Sequence, residues 1–258
     1  MRGPAVLLWM AMLSACGFVP ERDRQPSGGV GPSSIPGPVP RAEPKSRYGN
    51  PRSYVVNGKQ YFTLPSARGF VERGIASWYG PKFHGRRTSS GETYDMHKMT
   101  AAHKTLPLPT YVSVRNLVTG KEIVVRVNDR GPFHGDRIID LSYAAATTLG
   151  IASRGTGPVE VRALVPGTPV RPVARSRPPE PARLFVQAGA FQAASNASKL
   201  RTRLAGVSGL PIRVRRAMSD GRVMYRVWLG PVSSVEEADE VSDVLALLGI
   251  EGPRIVVE

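Results

Sequence analysis

The sequence predicts a mainly β protein in two parts, a compact β-barrel followed by a smaller α+β domain. Two observations carry this. Between residues 70 and 164 short apolar or alternating runs recur beside a single helix-like segment, the pattern of a barrel built from short strands. From residue 184 onward strand-like and helix-like runs follow one another as βαββαβ, the split ferredoxin-like arrangement. A proline- and arginine-rich stretch over 165–183 reads as a semi-rigid linker between them.

At the N-terminus Arg2 precedes the apolar run Ala5–Leu13. This is shorter than the ~20 residues a helix needs to span a bilayer, but it suits the core of a signal peptide. The run ends in Leu13-Ser14-Ala15-Cys16, which resembles a bacterial lipobox. That resemblance implies a signal peptide over 1–15 and a lipid anchor on Cys16; Gly17 after it implies an outer-membrane location facing the periplasm. Cys16 is the single cysteine, so no internal disulfide can form. Residues 16–52 are rich in Pro, Gly, Ser and Arg with hardly any apolar periodicity, and read as a flexible tether. Tyr54–Phe62 then carries Asn57-Gly58 between two β-prone runs, a hairpin signal that opens the segment 53–69. Its aromatics are expected to pack on the domain that follows.

The formal charge is +15, from 35 Lys and Arg against 20 Asp and Glu. Much of the excess sits in the tether and linker: residues 1–69 hold 9 basic groups against 3 acidic, and 164–183 hold 4 against 1. No recognition helix or basic aromatic sheet accompanies it, which argues against a nucleic-acid partner and for a tether beside an anionic membrane or wall polymer.

Within 70–164 the strand-like runs are Gly74–Tyr79, Tyr111–Leu117, Glu122–Val127 and Val159–Leu164. Leu141–Leu149 reads as a helix with Ser142 as N-cap and Gly150 as its stop, and Asp140 as a structural cap near its start. His84, His97 and His134 lack the spacing of a zinc site. No phosphate-binding glycine loop and no Gly-x-Ser-x-Gly are present.

Several linked strings follow in order: Trp78-Tyr79-Gly80, Ser90-Gly91-Glu92, Thr100–Pro107 with His103, Asn128-Asp129-Arg-Gly-Pro132 and Ile139-Asp140-Leu-Ser142. Together they resemble the rare lipoprotein A (RlpA) family, whose fold is a six-stranded double-psi β-barrel, here over 70–164. The resemblance implies lytic transglycosylase action: cleavage of the β-1,4 bond between N-acetylmuramic acid and N-acetylglucosamine with closure of a 1,6-anhydro ring and no water consumed. It implies Asp129 as general acid/base, with Glu92 and His103 as the other residues of the groove. A general acid has to keep its proton near neutral pH, so burial or a second carboxylate is needed, and Arg130 has to point elsewhere. On residue chemistry alone Asp129 also suits a turn, Glu92 a solvated loop and His103 a satisfied structural position. Tyr79 is assigned to the groove as an aromatic wall.

Residues 184–258 resemble a SPOR domain through Phe185-Val-Gln187-Ala-Gly189-Ala-Phe191 and Tyr225–Pro231. That implies binding to glycan stripped of stem peptides and enrichment at the division septum. Gln187 and Arg226 are candidates to hydrogen-bond sugar hydroxyls, with Trp228 offering an apolar face. Alternation sets Arg226 and Trp228 on the face away from the helices. The whole reads as an outer-membrane lipoprotein, monomeric, acting on peptidoglycan without metal or cofactor. The other reading is a non-catalytic wall-binding protein that loosens or tethers glycan.

Overall fold

The computed structural model describes residues 36–165, 182–206, 209–219 and 221–258. The signal-peptide core, Cys16 and most of the linker lie outside the described residues. Strands β1 (Ser53–Val56) and β2 (Lys59–Phe62) form the expected hairpin, with Asn57 at φ 50° and Gly58 at φ 74°. Positive φ at both central positions is the turn that Asn-Gly favours. Tyr54 and Tyr61 stack with ring centres 5.3 Å apart, and Tyr54 meets Phe133 of the next domain edge-on at 6.1 Å.

Six strands close the barrel: β3 (Val71–Trp78), β4 (Thr100–His103), β5 (Thr110–Asn116), β6 (Glu122–Asp129), β7 (Arg137–Leu141) and β8 (Thr156–Ala163). Their order is β3-β7-β4-β6-β5-β8, with β3–β7 and β4–β6 parallel. This is the double-psi barrel. Periodicity alone misses β4 and β7, whose 4 and 5 residues are too short to show a repeat. Ala76, Ala101, Val125, Val127, Ile139, Leu141, Val159 and Val161 fill the interior, all fully buried. Each Val, Leu or Ile among them contributes about 1.5–3 kcal/mol by leaving water.

Helix α1 (Tyr143–Leu149) closes one end of this core. Ser142 caps it, Oγ accepting from Ala145 N at 3.2 Å, and Gly150 ends it in the left-handed region. Asp140 does not cap it. Its carboxylate instead accepts the Ser77 hydroxyl across the sheet.

The second domain has β9 (Leu184–Phe191), α2 (Ala194–Leu204), β10 (Ile212–Ser219), β11 (Arg222–Val232), α3 (Val235–Leu247) and β12 (Arg254–Val257), the expected βαββαβ. Its sheet order is β10-β11-β9-β12, all antiparallel. Gly189 lies where α2 crosses the sheet: a Cβ there would stand 3.1 Å from Leu200 and 2.9 Å from Phe191, so the close approach requires its absence. Ser234 Oγ accepts from Glu237 N at 3.1 Å, while the Glu237 carboxylate takes Ser233 N at 2.7 Å, a reciprocal cap that opens α3. The domains touch: Ile255 N donates to the Asp136 carboxylate, and Ile75 packs in the same apolar cluster as Ile250 and Ile255.

The C-terminal part of the expected flexible tether, within residues 36–52, is docked. Ser46 N and Asn50 Nδ2 donate to Leu108 O, both at 2.8 Å, and Leu108 N donates back to Asn50 Oδ1 at 2.8 Å. Glu43 takes two further partners on the barrel, the Arg126 guanidinium at 2.7 Å and the Tyr111 hydroxyl. Hydrogen bonds and charge hold this segment, and neither leaves an apolar repeat in the sequence.

Candidate active site

Four residues stand side by side across four neighbouring strands. Ser77 on β3 is in register with Asp140 on β7, Asp140 with Ala102 on β4, and Ala102 with Asp129 on β6. Residues in register point to one face of a sheet. Here it is the outer face, because the flanking Ala76, Ala101, Ile139 and Leu141 point into the core. Two bulges make the row. Asn128 is the extra residue between Val127 and Asp129, and Ile138 the extra residue between Arg137 and Ile139. A bulge re-aims the side chains after it: the one at Asn128 aligns Asp129 with Ala102 and so with Asp140, and the one at Ile138 aligns Asp140 with Ser77.

A cleft of about 520 Å³ lies over this row. Ala102, Asp129 and Asp140 line its floor; Trp78, Tyr79, Phe83 and Tyr94 form an aromatic wall; Lys82, Arg86, Arg87, His134 and Arg137 stand among its other lining residues. Tyr79 and Tyr94 rings lie 4.3 Å apart, and both phenols are pushed up, first by burial and then by nearby charges that include Asp129 and Asp140. Tyr79 thus lines the same cleft as Asp129.

Asp129 is held on one oxygen. Oδ1 accepts from Ser89 N at 2.7 Å, Ser89 Oγ at 2.6 Å and Arg130 N at 2.7 Å. The Arg130 guanidinium turns away, donating to Gly49 O at 2.9 Å, His103 O at 3.1 Å and Leu106 O at 2.5 Å. Asp140 sits deeper, and burial pushes its carboxyl above the usual range against the opposing pull of Arg137 and Ser77.

Glu92 and His103 do not line the cleft with Asp129. Arg126 grips both oxygens of Glu92 at 2.8 and 2.9 Å, and Asn128 Nδ2 donates to it at 2.8 Å. Glu92 thereby fixes the 88–92 turn that carries Ser89. His103 is 2% exposed, with Nδ1 accepting from Thr105 N at 3.2 Å and Leu106 N at 3.1 Å. Its Nε2 faces Glu72 Oε2 at 3.4 Å, and burial pushes its pKa below the ordinary value. Ser77 carries no signal in the sequence, and Asp140, which follows Ile138-Ile139 two residues before the helix cap, reads there as part of that cap.

On the second domain Gln187 and Trp228 meet directly, Trp228 Nε1 donating to Gln187 Oε1 at 3.1 Å. Trp228 is on the face away from the helices but is not open: it is 7% exposed, tilted on Phe185 at 5.5 Å and covered by Arg215 at 5.0 Å. Arg226 lies beside it on the same face, half-buried and opposite Arg215. Sequence alternation finds the face; it does not see that Arg215 from β10 closes over the ring. Among the described residues no group of His, Cys, Asp and Glu is placed to hold a metal ion.

Residues 71–161 match the family described as lytic transglycolase, and residues 180–254 match the SPOR domain. The chain is similar to the endolytic peptidoglycan transglycosylase RlpA of Pseudomonas aeruginosa (strain UCBPP-PA14), 37% identical over 291 residues that cover 92% of this chain and 85% of that one. The RlpA of the same description from Vibrio cholerae serotype O1 is 47% identical over 176 residues, 66% of each chain. A crystal structure of the RlpA SPOR domain from Pseudomonas aeruginosa aligns with 29% identity and a TM-score of 0.27, over 28% of this chain and 96% of that one. With both domains matched in order and a relative of this similarity along nearly its whole length, the chain belongs to the RlpA family of endolytic peptidoglycan transglycosylases.

Proposed function

We propose that the chain is a lytic transglycosylase that cuts peptidoglycan glycan strands internally and leaves 1,6-anhydromuramic ends. The observation that carries this is the cleft itself: a carboxyl group, Asp129, fixed through one oxygen on the floor of an aromatic-walled groove. Aromatic faces suit the apolar faces of sugar rings, and the fixed rotamer holds the second oxygen in place for proton transfer. Glu92, through Arg126 and Asn128, and His103, through the 105–106 turn, act as positioning residues for that floor.

The finer reading is a preference for glycan stripped of stem peptides, at the division septum. Removing the peptide frees the lactyl carboxylate of each muramic acid. Lys82, Arg86, Arg87 and Arg137 in the cleft lining offer it cationic partners. The Gln187, Arg226 and Trp228 face, with Arg213 and Arg215 around it, supports glycan capture by the second domain. Lipidation of Cys16 would hold the chain at the outer membrane, facing the wall.

The test compares the parent with Asp129→Asn on sacculi stripped by an amidase. The variant should bind as the parent does and release no soluble fragments. Release at the parent's rate would return Asp129 to the role of a turn residue.

A further inference from the structure

We propose that the reaction is divided between two carboxyl groups, Asp140 giving the proton to the departing sugar oxygen and Asp129 taking the one released by the muramic C6 hydroxyl. This rests on the transglycosylase reading above and goes beyond it, since that reading places acid and base on Asp129 alone.

Geometry brings the pair together. Both are in register with Ala102, one on each side, so their backbones stand two strand spacings apart, about 10 Å. Between them is only a methyl group. Two carboxyl side chains flanking an alanine leave the space above its methyl group open to the cleft. Both line the same cleft, beside Tyr79 and Tyr94.

Their surroundings differ in the way a division of labour needs. All three close neighbours of Asp129 are donors, which suits a group that acts as acceptor. Asp140 has one donor, the Ser77 hydroxyl, which itself accepts from Arg137 Nη1 at 2.6 Å. The other charges facing Asp140 are Arg137, 3.7 Å away on its own strand, Lys104 beyond β4 and His134 in the loop before β7. Lys104 Nζ is spent on Arg137 O. Burial outweighs these cations and favours the protonated acid. A carboxylate gripped by donors beside a buried carboxyl group supplies a base and an acid in one cleft.

The step balances. The Asp140 carboxyl proton moves to the glycosidic oxygen as the C1–O bond breaks. The C6 oxygen bonds to C1, and its proton passes to the Asp129 carboxylate. Both groups then return to their starting states by proton exchange with solvent. No water is added and nothing is oxidised or reduced.

The experiment uses the full chain and two substrates: stripped glycan, and a stripped oligomer ending in a muramyl 4-nitrophenyl glycoside, whose leaving group departs without protonation. Asp140→Asn keeps the Ser77 contact. It should lose about 10²-fold or more on glycan and stay within about tenfold of the parent on the nitrophenyl substrate, while Asp129→Asn fails on both. Ser77→Ala removes a hydrogen bond that favours the Asp140 carboxylate, so the alkaline limb of kcat/KM should move to higher pH. This arm decides the matter if Asp140→Asn does not fold. Asp140→Asn turning over glycan at the parent's rate overturns the assignment. So does an equal loss on both substrates with unchanged melting, or an unmoved limb in Ser77→Ala. A parent that makes no anhydro ends sinks the transglycosylase reading, and this division with it.

Discussion

Glu43 offers a quantitative test of the docked segment. Its carboxylate accepts from Arg126 Nη2 at 2.7 Å and from the Tyr111 hydroxyl, and these contacts, Arg126 foremost, lower its pKa from 4.5 to about 2. A carboxylate with a depressed folded pKa stabilises the fold above its unfolded pKa, and that contribution is lost as pH falls toward the folded value. The window here runs from about pH 4.5 down to about 2. The full shift would correspond to about 3 kcal/mol; screening near the surface reduces it to about 1–2 kcal/mol. Glu43→Gln should therefore destabilise the barrel by about 1–2 kcal/mol at pH 7, a loss of several degrees in Tm. The deficit should shrink steadily as both proteins are unfolded at lower pH. Urea unfolding followed by tryptophan fluorescence across that range measures it, with Trp78 in the barrel as the reporter. Equal stability at pH 7 would refute the contribution of the ion pair to the docking of residues 36–52. A deficit independent of pH would show a packing effect instead of a charge effect.

Five further variants have expected outcomes. Gly49→Ala places a Cβ 2.7 Å from Ser89 O at φ +80°, so it should lower Tm by several degrees and cut activity through the Ser89 turn. Ser89→Ala removes one of three donors to Asp129 and should reduce kcat about tenfold with KM little changed, read by fragment release. His103, buried with a depressed pKa, contributes stability that is present above its unfolded pKa and falls as pH drops below it; His103→Ala should cost about 2–4 kcal/mol and flatten that acid loss. Trp228→Ala should unfold the second domain by about 3–5 kcal/mol, whereas Arg226→Ala should weaken glycan binding and leave melting near the parent's.

The sequence shows this fold wherever one short segment decides the matter. Asn57-Gly58 gives its hairpin, Ser142 and Gly150 bound α1, and the reciprocal cap at Ser234 and Glu237 opens α3. Local chemistry suffices for these. The candidate row is different in kind. Ser77, Asp140, Ala102 and Asp129 come from four strands joined by two parallel pairings and aligned by bulges at Asn128 and Ile138. No periodicity in one strand reports a register set by another. Asp140 is two residues from a genuine N-cap, so its local context pointed to the helix while its side chain faces the sheet. Glu92 and His103 show the converse: motif position ties them to the cleft, while their side chains are taken up by Arg126, Asn128 and the 105–106 backbone outside its lining. Docking of residues 36–52 rests on Glu43, Ser46 and Asn50, and polar side chains in a proline-rich stretch carry no sign of what they will meet.

The most direct measurement is mass spectrometry of sugars released from amidase-stripped sacculi by the full chain. Lytic transglycosylase action predicts fragments ending in 1,6-anhydromuramic acid, each one water lighter than a hydrolysed end. Reducing ends would mean a hydrolase, and tight binding with no soluble fragment would mean a protein that holds the wall without cutting it.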